Sequence, residues 1–120
     1  MEEGLRPLFE NGHQVEILDP DPEHPLDEDA LIEAAREADA LITMPSDPVT
    51  ARVLENCPKL RIVAQHAVGY ENIDLEAARV RGIVVTHTPG VLTDATADFT
   101  FALLLALVRR VREADRYVRE

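Results

Sequence analysis

Two apolar runs of this 120-residue chain end in residues whose types could bind a ligand or move a proton. "HAVGYENID" (66–74) opens on His66 and sets Gly69 between Val68 and Tyr70. A glycine there lets a ligand approach the backbone, and the amides of Val68 and Gly69 can hold a carboxylate with no basic side chain. The plainer reading is that Gly69 only permits a turn, and spacing alone leaves both readings open. "THTPGVLTDATAD" (86–98) passes His87, turns at Pro89-Gly90 and then carries Leu92 and Thr96. His66 and His87 stand near strand ends, where a general acid or base would sit, but neither has an evident carboxylate partner, so no catalytic role is expected of them. His13, His24 and Cys57 lack the spacing of metal ligands, and no metal site is expected.

The elements that position these residues follow from the hydrophobic pattern. Leu5, Leu8 and Phe9 have helical spacing, and Asn11-Gly12 stops that helix. "VEIL" (15–18) reads as a strand and "DPDPEHP" (19–25) as a stiff acidic loop, its three prolines unable to continue either element. Asp27 caps a helix reaching about Ala38, with Leu31, Ile32 and Ala35 inward. "ALITM" (40–44) is a strand ended by Pro45, and Thr50 to Cys57 a short helix closed by Pro58. "LRIVAQHAV" (60–68) is a continuous apolar strand of the kind covered on both faces. Asn72 or Asp74 begins the helix "LEAARVR", which ends at Gly82, and "IVVTHT" (83–88) is the last strand. A long helix begins near Thr93 or Asp94 and runs to about residue 119.

Strands separated by helices predict an α/β fold, an open parallel sheet with helices on both faces. Such sheets usually open with a strand, but here Met1 leads almost directly into a helix. Either the sheet closes without that strand, or another chain supplies it, or the chain is part of something that had it. In this architecture ligands bind outside the carboxyl ends of the strands. That points to Met44–Asp47, Ala67–Tyr70 and Thr88–Leu92.

Composition narrows the function classes. With 46% hydrophobic residues the chain is globular. Its net charge of −11 is unfavourable for nucleic acid, whose phosphates attract basic surfaces. The arginines from Arg109 to Arg119 alternate with Glu113 and Asp115, as on a solvated helix end. Cys57 is the only cysteine, which excludes an internal disulfide. No signal-like segment opens the chain. The longest apolar run, Phe101 to Val108, is far below the roughly 18 residues of a membrane span. A cytoplasmic protein with neither nucleic-acid nor membrane partners is expected.

The stretch "CPKLRIVAQHAVGYENIDLEAARVRGIVVTHTPGVLTDATADFTFALLLALVRRV" (57–111), with "ADALIT" near residue 40, resembles the N-terminal region of the D-2-hydroxyacid dehydrogenases, in particular the glyoxylate/hydroxypyruvate (glycerate) reductase branch. The resemblance covers about residues 12 to 120. It implies a flavodoxin-like substrate-binding domain occupying 1–120, beside a separate domain that binds NAD or NADP. It further implies that Val68 and Gly69 give amides to the carboxylate of a small 2-oxo or 2-hydroxy acid. Met44 and Leu92 would line the pocket, and Thr96 would touch the cofactor from across the cleft. Glu71 stands where the family more often has Asp, and Asp98 where it often has Glu. A phosphite-oxidising relative would carry Lys where this chain has Val68.

The family's catalytic Arg, acid and His are not matched here, and the glycines at 4, 12, 69, 82 and 90 never form G-x-G-x-x-G. No catalytic residue is therefore assigned, no tight cofactor binding is expected of this chain, and no turnover is expected of it alone. Phe101 to Val108 is apolar on every side, which calls for neighbours all round. The expected neighbours are the cofactor domain and a second copy, in a homodimer through the 94–119 helix. The alternative is a non-catalytic flavodoxin-like binding or self-association domain.

Overall fold

The computed structural model describes residues 2–18 and 26–120. Helix α1 (Glu2–Glu10) comes first, followed by α2 (Glu28–Ala35), β1 (Ala40–Thr43), α3 (Ala51–Asn56), β2 (Ile62–Gln65), α4 (Leu75–Arg81), β3 (Val84–Thr86), α5 (Thr93–Val108) and α6 (Val111–Arg119). The expected acidic loop at 19–25 lies outside the described residues.

Helix limits are set by local chemistry. Asp27 Oδ1 accepts from the Ala30 N–H at 2.8 Å and Asp74 Oδ1 from the Ala77 N–H at 2.9 Å, each satisfying a donor that the first helical turn leaves free. Thr50 Oγ1 does the same for Val53 at the start of α3. Gly82 ends α4 at φ 69°, a left-handed conformation that side chains disfavour. These are the boundaries the sequence predicts, except that α2 stops at Ala35, short of Ala38.

The strands are parallel in the order β1-β2-β3, with Ala40 opposite Ile62 and Ile62 opposite Val84. Each crossover steps in the same direction, so right-handed connections put α3 and α4 on one face. Leu31 and Ala35 of α2, Val53 and Leu54 of α3 and Ala78 of α4 join Val63 in a single core, with Leu41 and Val85 packed against it. The other face is bare: Ile42 and Val84 are 55% and 56% exposed. β2 therefore alternates, with Val63 and Gln65 buried and Ile62 and Ala64 half-buried, where the sequence suggests cover on both sides.

Two expected elements differ. "VEIL" forms no strand; Ile17 and Leu18 are exposed in an irregular segment. A strand needs a partner, and in flavodoxin-like order the second strand pairs with a first. Helix α1 precedes the segment instead. The helix expected over 94–119 breaks at Arg109-Arg110, where Arg110 takes φ 52° and α6 starts afresh. Neither Gly nor Pro marks the break.

The whole is elongated, 61 × 31 × 28 Å, with a radius of gyration of 19.9 Å. A compact domain of this length would have about 14 Å. No residue of α5 or α6 is buried.

Candidate active site at the carboxyl ends of the strands

A side-chain amide ties the strand ends together. Gln65, the last residue of β2, is only 2% exposed, and Thr43 at the end of β1 is 1% exposed. Thr43 Oγ1 donates to Gln65 Oε1 at 2.7 Å. Gln65 Nε2 donates to the Gly69 carbonyl at 3.2 Å and to Asn72 Oδ1 at 2.8 Å. Asn72 Nδ2 in turn donates to the carbonyls of Met44 and Asp47, at 3.1 and 2.9 Å. Asp47 Oδ2 accepts from the Met44 N–H. Every polar atom of the Gln65 amide is thus engaged, which removes the penalty for burying it. The result is one connected network that fixes the β1 loop and the β2 loop relative to each other.

The peptide between Val68 and Gly69 is anchored from the third strand. His87 Nδ1 lies 2.8 Å from the Val68 carbonyl oxygen, and the Tyr70 ring meets the His87 ring edge-on, centroids 5.2 Å apart. The carbonyls of Val68 and Gly69 are therefore both engaged. Among the described residues, neither the Val68 nor the Gly69 N–H has an acceptor.

Positive φ occurs at Gly12, Gly82 and Gly90, not at Gly69. What a side chain would meet there is the Glu71 carboxylate, 2.5 Å from an added Cβ.

A groove of about 610 Å³ opens beside this loop, lined by Val68, Leu92, Thr93, Thr96, Thr100 and Phe101 among others. Of the residues singled out in the sequence, Val68, Leu92 and Thr96 share this groove. Gly69 adjoins it through Val68. Met44 does not line it; its backbone joins the network through Asn72 and Asp47, and its side chain is half-exposed. Among the described residues, no basic side chain lines the groove. Helix α5 starts there without a side-chain cap, since Leu92 occupies the capping position. The described residues hold no cluster of three metal-ligating side chains and no helix long and apolar enough to cross a membrane.

Sequence reasoning passes over Gln65 and the anchoring role of His87, names Asp47 only as the end of a strand-end loop, and takes Asn72 only as a helix start. The available signal is the glutamine itself, a polar residue inside an apolar strand run.

Residues 1–117 match the family described as D-isomer specific 2-hydroxyacid dehydrogenase, catalytic domain. The chain belongs to this family. It is 54% identical over 118 residues to a glyoxylate reductase of Thermococcus litoralis, and 60% identical over 98 residues to one of Korarchaeum cryptofilum. Those alignments take in 98% and 82% of this chain but 35% and 30% of the relatives, so the chain spans about a third of the relatives' length. The TT0316 protein of Thermus thermophilus superposes with a TM-score of 0.82 at 44% identity, covering 98% of this chain and 37% of that one. A D-lactate dehydrogenase from Aquifex aeolicus, solved with NAD and lactic acid, superposes at 0.75 with 25% identity, covering 98% and 33%.

Proposed function

We propose that this chain is the substrate-holding part of an NAD(P)-dependent D-2-hydroxyacid dehydrogenase that interconverts a small 2-oxo acid, such as glyoxylate or hydroxypyruvate, with its 2-hydroxy acid. The observation that carries this reading is the pair of unengaged amides at Val68 and Gly69, beside a groove walled by Leu92 and Thr96. Backbone dipoles receive the substrate carboxylate there, and desolvation by apolar walls strengthens them. Thr96 on the first turn of α5 faces the cofactor. A bound nicotinamide supplies or accepts the hydride. This chain's part is to orient the acid and exclude water. Its glycines do not form a dinucleotide cradle, so tight cofactor binding is assigned elsewhere in the whole enzyme.

The apolar surface of α5 is assigned to a second copy and to the cofactor-binding part, giving a homodimer; Phe99 to Val108 leaves seven large apolar side chains more than half exposed, which supports this. A cytoplasmic location goes with the reading. The rival, a self-association domain without catalysis, draws on the same bare helix but leaves the two amides without a purpose.

A chimera separates the two. This chain replaces the matching residues of the Thermococcus litoralis glyoxylate reductase, and loss of nicotinamide absorbance is followed with glyoxylate and NADH or NADPH. The chimera turns over and the chain alone does not. A folded chimera without activity, or turnover by the chain alone, contradicts the proposal.

A further inference from the structure

We propose that His87 is a positioning residue that aims the Gly69 amide into the substrate groove. The inference rests on the carboxylate-holding reading of the Val68–Gly69 loop and adds the residue that sets its direction.

The Val68 carbonyl and the Gly69 N–H belong to one peptide unit. That unit is planar and trans, so the two groups point in opposite directions. Whatever fixes the carbonyl fixes the N–H. Among the described residues, His87 is the one group bonded to the Val68 oxygen, at 2.8 Å. A carbonyl only accepts, so Nδ1 carries the proton and donates. The ring is itself held: Tyr70 meets it edge-on at an interplanar angle of 89°. One residue along each loop, the Thr88 N–H donates to the Ala67 carbonyl at 2.9 Å, fixing the spacing between the two loops. A bond at the carbonyl also polarises the same amide and makes its N–H a better donor. His87 thus acts through Gly69 and does not touch the substrate.

Two variants separate the donor from the ring. His87→Phe keeps an aromatic edge for Tyr70 and removes the donor. His87→Asn removes the ring and restores an N–H at the Nδ1 position. The full chain is labelled with ¹⁵N and ¹³C, and the Val68 carbonyl, the Gly69 amide and the His87 ring nitrogens are followed by NMR during titration with oxalate. In the wild type the proton sits on Nδ1 and the Gly69 amide moves saturably. In His87→Phe the Val68 carbonyl shifts before any ligand is added, and oxalate binds about two- to ten-fold more weakly, the worth of one hydrogen bond. His87→Asn recovers most of that affinity. A wild-type ring protonated on Nε2, or a His87→Phe variant with an unmoved Val68 carbonyl and unchanged oxalate affinity, overturns the role of His87 alone. A wild-type Gly69 amide indifferent to oxalate overturns the carboxylate seat, and the positioning role falls with it.

Discussion

At Gly69 what stands over the backbone matters more than the backbone's conformation. Its φ lies outside the left-handed region, so alanine fits the chain path, and the Glu71 carboxylate that an added methyl would meet sits at the end of a flexible, exposed side chain. Gly69→Ala therefore leaves stability within about 1 kcal/mol of the wild type, lower unfolded-state entropy offsetting the displaced carboxylate. Oxalate affinity falls at the same time, because the methyl stands over the amide. Urea denaturation and calorimetric titration read the two effects separately, and a stability loss without an affinity loss would return Gly69 to a purely structural role. Gln65 illustrates what single residues conceal in a sequence. Its type within an apolar run marks it as unusual, but its partners Thr43 and Asn72 lie 22 residues upstream and seven downstream, and only the fold brings them together.

Elements were legible in the sequence where their causes are local. Asp27, Thr50, Asp74 and Gly82 mark helix ends through bonds reaching three or four residues, so the chain text alone locates them. "VEIL" has the composition of a strand, but strand formation depends on a neighbour, and composition does not reveal whether one is present. The break at Arg110 has no local marker either. The contact between the turn after α2 and the turn before β2 is also non-local, and it carries a pH signature. Lys59 holds the Glu37 carboxyl below the usual carboxylate range, by a hydrogen bond and then by charge, and is itself raised by the same partner. A depressed carboxyl stabilises the fold above its unfolded pKa, and that contribution disappears as pH falls through the lower folded value. The raised lysine contributes below its own unfolded pKa and loses that contribution at alkaline pH. Lys59→Met thus narrows stability in the neutral range and leaves it unchanged in strong acid, where Glu37 is protonated in both states. Because both groups are exposed the effect is small, and thermal melts across pH show it as a flattened acid limb. An equal shift at every pH would rule out the ion pair as its cause.

For the molecule as a whole, one face of the sheet is packed and α5 stands away from the core. The inward side of α2 was readable from the spacing of Leu31 and Ala35, whereas Val53, Leu54 and Ala78 join the same core only once the chain is folded. Phe101 to Val108 was readable as a segment that a single two-layer domain does not enclose, and it lies uncovered here. Each such side chain removed from water contributes about 1.5–3 kcal/mol, so a surface of this extent favours association strongly over solvation. The central claim is that another polypeptide surface covers this helix. Sedimentation velocity over a wide concentration range tests it most directly, on the wild type and on a Leu104→Glu/Leu107→Glu variant. The account predicts a dimer or larger species for the wild type and a shift toward monomer for the variant. A wild-type chain that sediments as a folded monomer at every concentration would contradict it.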